Sequence, residues 1–178
     1  MRLSCFLAGV LIASHVAAQD IYVDEGACPG EGCRYGERWI VTEPLDLRSA
    51  PDVTADHIGT IQPGQAVQTL TGEVHTIPGR FDVRRPHEEF VPGDEVLLYT
   101  YLGEGWFRLR HNGQLKEVDL NFSPWGGSGG KRCDNEKRCW GTLQQELEFN
   151  WWVKVRMDDG TEGWCLNMRT GVVHRHGD

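Results

Sequence analysis

A chain of 178 residues with 18 Lys and Arg against 26 Asp and Glu carries a formal charge of −8. That acidic balance leaves no electrostatic footprint for nucleic acid and little attraction to anionic lipid, so the charge reads as solubility. The length suits one domain or two small ones, enough for a modest core.

Residues 1–18 read as a secretory signal peptide. Arg2 gives a basic start, Leu3 to Val16 is mostly apolar, and Val16-Ala17-Ala18 sets small residues before Gln19. The apolar run is too short to span a bilayer and no second one follows, so no membrane insertion is expected after cleavage. A lipoprotein would carry its cysteine at the end of the apolar run, whereas Cys5 precedes it. The expected destination is the periplasm or full secretion. Arg2 leaves with the signal, which removes one basic side chain and moves the formal charge to −9.

Cys5 also leaves, and five cysteines remain. In an oxidising compartment Cys28 with Cys33, and Cys133 with Cys139, read as two local disulfides closing short loops. Each would constrain the unfolded chain by roughly 2 kcal/mol, pinning a loop rather than holding the protein together. Neither pair has the spacing of a zinc knuckle, and no metal or other cofactor is expected. Cys165 is left over, to pair with another chain, to join Cys28 or Cys33 in a different connectivity, or to lie buried.

In chain order, 19–40 is expected to be an irregular, Cys-stapled segment, with Trp39 to Thr42 a short strand. Leu45-Asp46-Leu47-Arg48-Ser49-Ala50-Pro51 follows, then Ile58-Gly59-Thr60-Ile61-Gln62-Pro63-Gly64 and an alternating strand. Residues 80–90, dense in both charges, suggest an exposed loop suited to partner contacts. Val91-Pro92-Gly93-Asp94 echoes Gln62-Pro63-Gly64-Gln65, and a strand through Tyr99 and Tyr101 follows it. Trp106 to Leu120, turning at Asn112-Gly113, echoes Trp152 to Leu166, turning at Asp159-Gly160, and both read as hairpins. Between them lie a Gly/Ser-rich loop at 121–130, holding Trp125, and one weak helical window at Thr142 to Phe149. The tail from Gly171 to Asp178 is expected to fray.

The Leu-x-Leu-Arg-Ser-x-Pro run, Ile-Gly-x-Ile-x-Pro-Gly, and Trp152-Val153-Lys154-Val155 with its Asp-Gly turn and Gly163-Trp164 resemble the two halves of a bacterial SH3-like domain. About eighty residues separate the halves. The resemblance implies an all-β fold of two small SH3-like β-barrels, the second inserted in the first. On that plan 41–74 and 149–170 form one split barrel and 75–148 the other. A single enlarged meander is the competing plan, because Pro-Gly and Asn-Gly turns make unrelated strands look alike. The resemblance also implies a non-catalytic binding module of the cell envelope.

Seven tryptophans are many for this length, and tryptophan serves both recognition surfaces and small β cores. Val153, Val155 and Trp164 are expected in the core. Trp106 with Arg108, Trp152 with Lys154, and Tyr99 and Tyr101 form the candidate ligand face, aromatic rings flanked by cations. The competing reading is surface rings covered by charged stems. Cys165 as a nucleophile lacks an assignable His-Asp partner, and His174 and His176 in the tail are a poor metal pair. No catalytic motif is present, and no enzyme is expected. The expected partner is an envelope peptide, glycan or protein. The alternative is a secreted inhibitor or accessory protein acting on one protein partner.

Overall fold

The computed structural model describes residues 21–29, 34–122, 139–166 and 172–174. Its strands are β1 (Tyr22–Glu25), β2 (Arg38–Val41), β3 (Leu45–Arg48), β4 (His57–Ile61), β5 (Ala66–Ile77), β6 (Gly79–Val83) and β7 (Glu95–Gly103). They continue with β8 (Trp106–His111), β9 (Gln114–Asp119), β10 (Gly141–Gln145), β11 (Glu148–Arg156), β12 (Glu162–Leu166) and β13 (Val172–His174). All pairing is antiparallel. One sheet runs β13-β2-β5-β11-β12-β3-β4, with β1 also on β5, and a five-stranded sheet runs β10-β6-β7-β8-β9. The fold is all-β, and neither path closes on itself. Among the described residues no helix is long and apolar enough to cross a membrane.

Every strand of the second sheet lies between β5 and β11 in the chain. The two sheets also repeat one path. β2, β5, β11, β12 and β13 stand in the same chain order and the same pairing as β6, β7, β8, β9 and β10, with the last strand beside the first in both. The turns repeat as well. Gly64 (φ 86°) and Gly93 (φ 98°) supply the left-handed residue of each Pro-Gly turn. The Gln62 N–H donates to the Gln65 side chain as the Val91 N–H does to Asp94, and the Val41 and Val83 carbonyls accept from Gly64 and Gly93. The first sheet alone adds a hairpin, β3–β4, at the free edge of β12.

Each sheet has its own core. Phe81, Val96, Leu98, Phe107, Leu109 and Phe122 form one, and Trp39, Val41, Leu47, Ile61, Val153 and Cys165 belong to the other, with Phe149 packed against both. Each such fully buried apolar side chain contributes about 1.5–3 kcal/mol. The hairpins turn where expected. Asn112 (φ 50°) and Gly113 (φ 76°) form a two-residue turn with both residues left-handed, and a longer loop closes through Gly160 (φ 88°).

β1 clasps the sheets together. Its Asp24 carboxylate is 3% exposed, accepts from the Thr100 hydroxyl at 2.6 Å, and pairs with Arg108, which also holds Glu117. Tyr22 stacks on Tyr99 at 4.0 Å between ring centres, and Arg110 lies over Tyr99. A β-bulge sets this up: one extra residue in β7 between Leu98 and Thr100 sends Tyr99 and Thr100 both to β1 and turns Tyr101 onto Phe107 in the core.

Four expectations are corrected. Residues 22–25 are a strand because Tyr22 and Asp24 alternate with Val23 and Glu25, which suits one face at the clasp and one in water. The window at Thr142 to Phe149 is β10 and the start of β11. One or two helical turns nucleate poorly, and β6 offers a ready ladder. Residues 80–83 belong to β6 with Phe81 and Val83 in the core, and Phe90 is buried too, so the exposed loop shrinks to the residues between. At 172–174 the tail pairs with β2. Cys28 and Cys139 are each in a disulfide, while their expected partners Cys33 and Cys133 lie outside the described residues, as do the signal segment 1–18, Trp125 and His176.

Asp24→Ala should lower stability in urea by about 3 kcal/mol, because it takes one of two carboxylate partners from a half-buried guanidinium and the acceptor from a buried hydroxyl. The Asp24→Ala/Arg108→Ala double variant should lose less than the sum of the singles, and strict additivity would mean the clasp carries no coupling. Acid should act through the turns. The Thr161 N–H on Asp159, the Val91 N–H and then His111 on Asp94, and the Arg156 and Lys154 side chains on Glu162 hold those carboxyls below their ordinary values. Depressed carboxylates stabilise above the unfolded pKa and lose that contribution as pH falls through the folded one. The melting temperature should therefore hold down to about pH 4.5 and fall below it.

Candidate functional site

Along β11, Val153 and Val155 point into the core, while Trp152, Lys154 and Arg156 point to the outer face, paired there with β5 and β12. Trp152 is nonetheless only 2% exposed. The segment from Ser49 to Asp56, joining β3 to β4, stands over this face and lines a cleft with it. The segment is braced by the Ser49 N–H on the Asp56 carbonyl, by Arg48 on the Ala55 carbonyl, and by an Asp52 turn that accepts from the Thr54 N–H and hydroxyl.

The cleft measures about 350 Å³. Trp152 and Asn150 of β11 and His75 and Ile77 of β5 form one side, Pro51, Asp52 and Val53 the other, and Glu148, Phe149 and Ile21 the end beside the second sheet. Val53 and Ile21 are large apolar side chains left more than half exposed, at 58% and 60%. His75 is held by Glu73 at 2.8 Å. The Thr54 N–H, then its hydroxyl, hold the Asp52 carboxyl below its usual range, so it stays charged near neutral pH. The volume is at the small end for ligand pockets, and the mix of apolar walls with a few polar groups is the usual one.

The six residues expected to form one ligand face do not come together. Tyr99, Tyr101, Trp106 and Arg108 belong to the second sheet, and Trp152 and Lys154 to the first. Tyr99 is buried in the clasp, Tyr101 packs on its own core, and Arg108 is committed to Asp24 and Glu117. Lys154 pairs with Glu162 at 3.1 Å. Trp164, expected in the core, sits half-buried on the outer face opposite Lys154. Only Trp106 keeps an open ring, 46% exposed, in a shallow depression of about 260 Å³ with Leu102, Glu104 and Glu117. Trp106 and Trp152 hold equivalent places in the repeated path. One is covered and the other bare because only the first sheet has the β3–β4 hairpin.

Sequence reasoning missed most of the cleft. The lining residues of 51–53 are a hundred positions from Trp152, and nothing local in the sequence links them. A large apolar side chain, Val53, in a turn otherwise built of small, polar and Pro residues is the one signal that could have pointed there.

Cys165 is buried, and burial followed by the nearby Asp46 charge pushes its thiol up to about 12. Native protein should therefore resist iodoacetamide at about pH 8 and react only after unfolding. Mass spectrometry showing alkylation at Cys165 in the folded protein would contradict its burial. Matched against protein-family models, curated proteins and solved structures, the chain finds no counterpart, so the reading of its site rests on its own residues.

Proposed function

We propose that this chain is an exported, non-enzymatic binding protein of SH3-like build, whose cleft over Trp152 recognises a ligand of the cell envelope. Its two units, the second inserted in the first, would be curled sheets of SH3-like strand path rather than closed barrels. The repeated five-strand path and the paired Pro-Gly turns support that architecture, and the signal-like residues 1–18 support export. The observation that carries the binding reading is the cleft itself. It leaves Val53 and Ile21 exposed beside a charged Asp52, an arrangement that costs solubility and adds nothing to either core.

Recognition by an open Trp/Tyr–Arg face is not carried forward, since Tyr99, Arg108 and Trp152 are all spent on packing or pairing. A secreted accessory role toward a single protein partner fits the same cleft, and the same assay separates it from wall binding.

Immobilised mature protein from Gln19 onward should retain a component of isolated peptidoglycan or of solubilised envelope protein, and which fraction is retained names the class. The Val53→Ser/Asn150→Ala variant changes only partly exposed lining and should keep its urea midpoint while retention falls about tenfold or more. Undiminished retention by the variant would place the site elsewhere. Trp152→Ala is a poor substitute, because emptying that site should cost about 3–5 kcal/mol of stability.

A further inference from the structure

We infer that the cleft takes an extended peptide segment bearing a cationic side chain beside an apolar one. The inference rests on the binding reading above and specifies its ligand.

Charge is the first ground. Several acidic side chains elsewhere on the surface have cations: Asp158 has Arg38, Glu95 has Arg80, Glu89 has Lys116, Glu117 has Arg108, and Glu162 has Lys154 and Arg156. The cleft departs from this. Asp52 stands on one wall and Glu148 at the end, and among the described residues no Lys or Arg lines the space and neither carboxylate makes an ion pair. His75, the one histidine of the lining, is held by Glu73 and, with Arg48, acts on Asp52 only through its field. Asp52 is held ionised, yet only its Oδ1 is engaged by Thr54. A cation entering between these walls meets two carboxylates that need not give up a partner.

Shape is the second ground. Ile21, Val53, Ile77 and Pro51 offer aliphatic walls for the stem of a lysine or arginine or for a neighbouring apolar side chain. The Asn150 carboxamide offers the donor and the acceptor that a peptide group needs. A glycan is disfavoured here, since sugar rings stack on open aromatic faces and Trp152 is almost fully covered.

The test uses the mature chain from Gln19 and three acetylated, amidated probes: Gly-Lys-Val-Lys-Gly, its Gln counterpart and its Glu counterpart. Amide resonances of Val53, Asn150 and Trp152 report binding. The Lys probe should bind about tenfold tighter than the Gln probe and tighter still than the Glu probe, with an advantage that shrinks as salt rises. Asp52→Asn/Glu148→Gln changes two exposed side chains and should bring the Lys probe down to the Gln probe while leaving the Gln probe unchanged. Equal binding of the Lys and Gln probes, or a Lys probe indifferent to the double variant, would overturn the cationic ligand and leave the cleft as a binding site. Resonances unmoved by all three probes would overturn the peptide inference, and envelope retention would then judge the broader reading alone.

Discussion

Asp24 puts a carboxylate where water hardly reaches, and a charge taken out of water costs several kcal/mol unless it is paired and hydrogen-bonded. Here Arg108 and the Thr100 hydroxyl offset that cost, and both belong to the other sheet. The interaction therefore acts only when the sheets are docked. Apolar packing around Phe149 would tolerate sliding, but a carboxylate between a hydroxyl and a guanidinium has one satisfactory position. Burial opposes the charge on Arg108, and its bonds to Glu117 and Asp24 outweigh it and hold the guanidinium fully protonated. The Tyr22–Tyr99 stack then orients what the ion pair locates.

The clasp depends in turn on a local irregularity. Without the extra residue in β7, Tyr99 and Thr100 would point to opposite faces, and only one could reach β1. This bulge marks where reading from sequence stops working. Alternation assigns faces correctly while the ladder is regular, so the core faces of β8 and β11 and the Asn112-Gly113 turn were legible. The repeated Pro-Gly turns were legible too, because left-handed backbone restricts the residue choice sharply. Alternation cannot see an inserted residue, so Tyr101 was placed on the wrong face. Nor can it see what covers a face: Trp152 points outward as expected, yet a loop a hundred residues away hides it. The β10 segment was misread for a related reason, since a weak helical preference over two turns has no force against a waiting strand edge.

The resemblance to SH3-like domains rested on the two half-patterns, and their positions meet in space. Leu47 and Ile61 of the first half share a core with Val153 and Cys165 of the second. Gly163 makes the closest of these approaches, since a Cβ there would run into Leu47 and the Arg48 carbonyl. The close fit of β12 on β3 requires glycine at that point, which gives the Gly163-Trp164 pair a packing reason independent of any family.

The repeat also accounts for where the cleft lies. In the second sheet β7 and β8 meet in a tight turn at Glu104-Gly105, and Trp106 stands at its rim. In the first sheet the equivalent connection is the whole second sheet. β5 and β11 consequently run on past Trp152, pairing Asn150 with His75 and Glu148 with Ile77 before the chain departs. That extension carries five of the cleft's lining residues, His75, Ile77, Glu148, Phe149 and Asn150, and it has no counterpart around Trp106. The β3–β4 hairpin, also private to the first sheet, supplies the opposite wall. A shallow rim site and a walled cleft thus arise from one strand path, and the difference between them is made by the two elements the sheets do not share.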